Sequence, residues 1–494
     1  VGFVGGDVKI TEDVDLTITT GTGNGNISLA GALKGDDTTA TKFSDVSLTS
    51  GAGTIDIHTI STDIEDLTLV GNTTLGGDIT LENDGVLSIS GDVLVDKDHL
   101  NINTENGSGA AGSAGGAVTI TGKLDSKTSA RDVDILTGQG LTTIGGNIGT
   151  ISALNSLDIN NVNNAKYTGG VTISGDIGVG AVSGANEGVI GNMRLGNTNT
   201  TGKITLNGED ISTGGLIALD GGSYTVAGGS TDLTIVTDNG AVTFGTGVVT
   251  VGNNSFSIDT DTQDGNAGTD GANITFAGKI LGDTTKVSNA TVLSDISFDG
   301  GKRGEVTVLD IGYNGSANVD EINDITLTGA TIKLNGVINS TGAGTQGGSA
   351  AGDDDGAISF NGAVQFLGDT TIDSDSSNDG NISFSSTIND DGAGSTDSNV
   401  VIKSGVGAVT ITDKIGAGSS GTLTSLTINA SDSYAGTGKI TLTEDIGLTT
   451  QAGVSGVTKI GNTSSTEIQL GGTLYKTGGA GNSATTYTAS GTAA

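Results

Sequence analysis

One short phrase returns along the whole chain, and it constrains the fold more than any other feature. It reads Gly-x-(Ile/Val)-(Thr/Ser)-(Ile/Leu/Phe). It starts at Gly25 (GNISL), Gly53 (GTIDI), Gly85 (GVLSI), Gly116 (GAVTI), Gly140 (GLTTI), Gly169 (GGVTI), Gly202 (GKITL) and Gly240 (GAVTF). It continues at Gly271 (GANITF), Gly304 (GEVTV), Gly329 (GATIKL), Gly356 (GAISF), Gly380 (GNISF), Gly407 (GAVTI) and Gly438 (GKITL). Successive copies stand 24 to 38 residues apart, about 30 on average. A self-similar period of that size marks a chain built by stacking one small unit on the next.

The unit is made of strands. A second phrase precedes most copies, as in DVSL at Asp45, DVDI at Asp132, SLDI at Ser156, DISF at Asp295 and SLTI at Ser425. A shorter apolar pair follows many, as in Asp176-Ile177-Gly178 and Asp445-Ile446-Gly447. Each piece alternates apolar and polar residues with period two, and Gly/Asn/Asp turns separate them. No segment has helical spacing. Pro is absent from all 494 residues, which suits a ladder in which every backbone N–H must donate. The pattern predicts an all-β chain: a right-handed parallel β-helix of about 15 or 16 coils, each of roughly 30 residues with three short strands. It is read as a single solenoid over 1–494, with an edge coil at 1–24, regular coils over 25–447 and a second edge coil at 448–494. A sandwich or propeller would need evenly spaced hairpins and more aromatic residues.

Composition narrows the function. With no Cys there is no disulfide framework, thiolate metal site or Cys nucleophile. A net charge of −36 argues against nucleic acid and against an anionic membrane leaflet as partners. No apolar run is long enough to insert across a bilayer. The start at Val1 has neither a basic segment nor an apolar signal core, as in a mature product or an excised piece.

The stretches GNISFSSTIND at Gly380, GAVTITDKIGAGSSGTLTSLTINA at Gly407 and EIQLGGTLYKTGG at Glu467 resemble the repeats of filamentous-haemagglutinin-like proteins, the β-helical adhesins of bacterial surfaces. Those are related in architecture to autotransporter passengers. The resemblance covers nearly the whole chain and implies a secreted, extracellular, cell-surface location. The matching phrases are structural, so it carries over no binding residues.

Three patterns are candidate chemistry. Outward carboxylates at Asp56, Asp134 and Asp158 are the residue type a β-helical polysaccharide-active enzyme would use. This register puts them in different strands or distant coils, and only two His (His58 and His99) and three Arg exist, so the chain is read as no enzyme. Thr or Ser fills the outward middle position in most copies of the phrase, as at Thr119, Thr172, Thr410 and Thr441. Paired columns of this kind resemble ice-binding surfaces, and a carbohydrate- or ice-binding surface stays as an alternative. Yet Ala30, Gly245, Ala277 and Leu309 interrupt the second column, and Thr is favoured on exposed strands anyway. Acidic loops come third. Asp259, Asp261, Asp264 and Asp270 approach a calcium-loop spacing and are the best single metal site. Asp353–Asp355, Asp373/Asp375/Asp379 and Asp390/Asp391 are similar clusters.

The sequence thus predicts an extracellular structural protein that forms or decorates a bacterial surface fibre or adhesin stalk. Its main partner is itself, end to end, since Val8-Lys9-Ile10 at one end and Ile468-Gln469-Leu470 at the other read as strands with no cap. A cell-surface glycan or host receptor is a further possible partner, and calcium the one possible cofactor.

Overall fold

The structure, a computed structural model, describes residues 1–11, 14–35, 43–61, 63–106, 115–178, 187–228, 231–252, 254–261, 271–283, 294–313, 322–340, 356–374, 380–392, 398–418, 421–430, 437–478 and the backbone of 485–487. Among the described residues there is no helix, and the strands pair in parallel, coil on coil. The chain is an all-β parallel β-helix. Its contacts group into two compact units, one of Val1–Gly229, Leu233–Gly247 and Thr262–Gly265, the other of Ser230–Asp232, Val248–Asp261 and Asn266–Ala494.

The first unit has three ladders. One runs through Leu16–Thr19, Val118–Ile120, Thr142–Ile144, Val171–Ile173 and Ser223–Val226. A second passes from Gly2–Phe3 through Ile27–Leu29 and Val93–Val95, then thins to single bridges at Ile148, Ile177 and Ile211. A third climbs from Val8–Lys9 through Asp132–Leu136, Ser156–Ile159, Met193–Gly196 and Ile217–Asp220 to Val242–Phe244. Along every strand alternate residues point inward. Val118 and Ile120 are fully buried while Thr119 between them faces out. Each buried Val or Ile contributes about 1.5–3 kcal/mol of transfer free energy.

The second unit repeats the plan with aromatic residues in its core. Phe256 and Phe298 meet edge to face at 5.5 Å, and Phe360 stacks on Phe384, its partner in register, at 4.8 Å.

The repeated phrase does not mark one face. GTIDI at Gly53 lies on the second ladder, the copies from Gly85 to Gly202 lie on the first, and GAVTF at Gly240 lies on the third. In the second unit the copies at Gly304 and Gly329 share one ladder, and those from Gly356 to Gly438 another. What the phrase marks is a corner. At many copies a Ser or Thr at or near the end of the preceding strand donates its hydroxyl to the carbonyl of the phrase's first glycine. Thr137 reaches Gly140 at 2.8 Å, Ser404 reaches Gly407 at 2.7 Å, and Thr104 reaches Gly116 at 2.6 Å. The clasp closes over 3 residues at Thr137 and over 16 at Ser340–Gly356, so it tolerates insertions of very different length. Because the clasp moves between faces, phrase spacing is not coil spacing. Ile55 stacks on Thr73 only 18 residues later, whereas Leu157 stacks on Met193 after 36.

Gly abounds because these corners stack backbone on backbone. A Cβ on Gly140 would stand 2.3 Å from the carbonyl oxygen of Gly116, which no side chain permits.

A larger repeat overlies the small one. At one corner of the first unit Asn160, at φ 52°, donates from Nδ2 to the Thr137 hydroxyl and accepts the Thr137 N–H at its Oδ1, and Asn197 donates to the Asn160 carbonyl. In the second unit Ser404, Asn429 (φ 46°) and Asn462 form the same network with the same donors and acceptors. The bridges Leu154–Val189–Thr213 and Leu423–Val454–Thr477 match as well. The region 132–213 and the region 399–477 are two editions of one frame.

Candidate functional site

Acidic side chains are the commonest candidate ligands here, and much of the acidity is structural. Outward Asp residues staple the start of the next coil. Asp15 accepts the Asp45 N–H, Asp45 accepts that of Asp66, and Asp66 accepts that of Val86 at 2.7 Å. In the second unit Asp295 accepts from Asp324 and Asp324 from Ala357. Asp445 accepts the N–H groups of Leu474 and Thr473, which hold its carboxyl below the ordinary range. Parallel strands entering a coil have N–H groups beyond the ladder, and a carboxylate one rung back satisfies them.

The calcium-loop residues divide. Asp259 and Asp261 are described, while Asp264 and Asp270 lie outside the described residues. Asp259 Oδ1 accepts the Asp261 N–H at 2.9 Å, an Asx turn. Asp299, its partner on the next rung, makes the same turn with Gly301 at 2.8 Å. Burial raises the Asp259 carboxyl, and neighbouring Asp299 and Asp261 add to this against the turn hydrogen bond. Among the described residues no three His, Asp or Glu come together as metal ligands. Of the other clusters, Asp353–Asp355, Asp375 and Asp379 also lie outside the described residues. Asp373 pairs with Lys403 at 2.9 Å. Asp390 is buried and accepts from the Gly392 N–H and from both the N–H and hydroxyl of Ser398.

The hydroxyl positions sort into faces that the sequence mixed together. On the first ladder of the first unit Thr17, Ser47, Thr68, Ser88, Thr119, Thr143, Thr172, Thr205 and Thr225 stand in one unbroken register. The interruptions at Ala30 and Gly245 belong to other ladders.

The outward carboxylates give a correction. Asp56 does stand apart, on the second ladder. Asp134 and Asp158 do lie in different strands, but not in distant coils: they are direct register partners on neighbouring coils of the third ladder, and Arg194 follows on the next rung. His99 Nε2 lies 2.9 Å from Asp134, and its Nδ1 lies 3.8 Å from Asp132. Burial raises the Asp158 carboxyl; Arg194, at 3.5 Å, opposes this, while Asp134 and Asp132 reinforce it. For Asp132 burial pushes upward too, but hydrogen bonds from Ser156 (2.7 Å) and Asn155 (2.6 Å) outweigh it and hold the carboxyl low. This adjacency is not legible in the sequence, because the steps between paired strands vary from coil to coil and no fixed offset places Asp158 over Asp134.

One notch was absent from the sequence reading altogether. It opens at the end of the third ladder's last rungs, with a volume of about 130 Å³ and a lining that includes Asn197, Thr198, Thr200, Asp220, Gly245 and Thr246.

Comparison with protein-family models, curated proteins and solved structures returns no match.

Proposed function

We propose that this chain is a structural segment of an extracellular bacterial surface fibre or adhesin stalk, a β-helix that joins end to end with further coils. The observation that carries this is the state of the outermost rungs. Leu470 is 42% exposed, whereas Leu442, its register partner one coil back, is 1% exposed. At the other end Leu16 and Ile18 are half-exposed, while Val46 and Leu48 on the next rung are buried. Among the described strands Leu16–Thr19 and Ile468–Leu470 each pair on one side only. Such edges present apolar residues and unpaired backbone groups that a further parallel coil completes, whichever polypeptide supplies it. A contact of this head-to-tail kind does not close on itself, so it propagates. The structural use of many of the described Asp, Thr and Gly residues in both units fits a scaffold better than an enzyme.

Electron microscopy of the purified chain over a concentration series tests this reading. Filaments or end-to-end oligomers are the expected result, and Leu470→Lys should shorten them. A strictly monomeric chain at high concentration, by sedimentation as well as by imaging, sinks it.

A further inference from the structure

We propose that the notch beside Asp220 binds a single neutral pyranose unit, with the Asp220 carboxylate accepting two sugar hydroxyls. Three consecutive rungs build it. Gly196, Asp220 and Gly245 follow one another at the ends of the strands Met193–Gly196 and Ile217–Asp220 and just past Val242–Phe244. Glycine at Gly245 keeps it open: a Cβ there would stand 2.8 Å from Asp220 Oδ1 and 2.9 Å from the Tyr224 hydroxyl. That hydroxyl is held rigidly, donating to the Leu219 carbonyl and accepting the Gly221 N–H.

Around it the polar groups already have partners. Asn197 donates to Asn160 and Tyr167, and the Thr200 hydroxyl accepts the Asn197 N–H. The Thr246 hydroxyl and Asp220 are the exceptions. Asp220 is half-buried, and among the described residues its carboxylate has neither a hydrogen bond nor an ion pair. Burial alone raises its carboxyl, with no neighbouring charge contributing. An ionised carboxylate only accepts, so a ligand that replaces water there must be a donor.

The chemistry of that donor follows from the walls. Thr198 and Thr246 offer hydroxyls rather than apolar surface, and no aromatic ring lines the notch. Calcium needs six to eight oxygens, usually from several carboxylates, and only one is present. The volume suits one ring and not a drug-sized ligand, for which pockets of about 300 Å³ or more are usual. A vicinal diol supplies two O–H donors at the spacing of one carboxylate, and its other hydroxyls meet Thr198 and Thr246. The inference does not rest on the fibre reading, since the notch lies within the first unit, away from the end rungs.

Saturation-transfer NMR on the full chain tests it, with the methyl pyranosides of glucose, galactose, mannose and fucose as separate probes. At least one should receive saturation at millimolar concentration. Asp220→Asn, which keeps the shape and removes the charge, should weaken it by about tenfold or more. Gly245→Ala, which fills the floor, should abolish it, with circular dichroism confirming an unchanged fold. The proposal is overturned if no pyranoside receives saturation, if Asp220→Asn binds as well as the parent, or if calcium alone occupies the notch and displaces the sugar.

Discussion

Residues 132–213 and 399–477 share a frame and differ in what they show to solvent. Inside, Thr137/Asn160/Asn197 and Ser404/Asn429/Asn462 make the same bonds at nearly the same lengths. Outside, one column of the first reads Asp134, Asp158, Arg194, and the matching column of the second reads Val401, Thr427, Lys459. Inward positions are fixed by close packing and by buried groups that must find partners. An outward position has only its neighbours one rung away to satisfy. There, like charges in register cost free energy and an opposite charge offsets them. In the first region the Arg194 guanidinium lies 3.5 Å from Asp158 and offsets the Asp134–Asp158 repulsion, and His99 Nε2 lies within hydrogen-bond distance of Asp134.

The largest effect should come from the shared interior. Ile135 and Ile402 are equivalent, fully buried residues of the two frames. Replacing either with Asp places an uncompensated charge in the core and should cost several kcal/mol, similar in both regions, by denaturant unfolding. If one variant is indifferent and the other unfolds, the two frames are not energetically equivalent.

A smaller loss is expected at the corner. Asn160→Ala and Asn429→Ala each strand the N–H and remove a partner of the hydroxyl of Thr137 or Ser404. About 1–3 kcal/mol per buried unsatisfied group is expected. Hydrogen exchange should speed up at the Thr137 or Ser404 amide in its own region and remain unchanged in the other.

The smallest effect separates the two exteriors. Asp158 is raised above the ordinary carboxyl value near ~3.9, so the folded state favours its protonated form. Its contribution to stability is therefore fully present below that ordinary value and is lost as pH rises through the raised folded one. Asp158→Asn should raise the melting temperature slightly at pH 7 and flatten its rise on acidification. Thr427→Asn, at the matching place in the second region, should leave the pH profile as it was. A profile unmoved by Asp158→Asn would show that its neighbours compensate the charge fully.

Read from the sequence, the strands were plain. Alternation in Val118-Thr119-Ile120 or Val409-Thr410-Ile411 is a local fact, and burial agrees with it residue by residue. The same text does not give position, because the phrase marks corners on different faces and not successive coils of one face. Ser50 and Thr137 stand 3 residues before the glycines they clasp and Thr104 stands 12 before, so the clasp is legible only where the insert is short. The two editions of the frame were also legible in principle, as LTGQGLTTI beside KSGVGAVTI, once an offset near 267 residues was tried. The candidate sites were less accessible. The Asx turn that Asp259 makes depends on the local backbone rather than on residue type, and Asp220 stands in an unremarkable strand.

By itself the sequence determined what each residue does within its own strand: which side chains go in, which face out, where the chain must turn, and that no helix competes. Period-two patterning and turn chemistry act over a few residues, so local text suffices. Only the tertiary structure decided which strand lies on which. Paired strands stand between 18 and 40 residues apart, and corner inserts of different length take up that variation without altering any strand's own pattern. Everything that depends on adjacency across coils follows from that choice. The Asp134–Asp158 pair, the unbroken hydroxyl column and the notch at Asp220 all exist because separate coils, each ordinary in sequence, come to rest one rung apart.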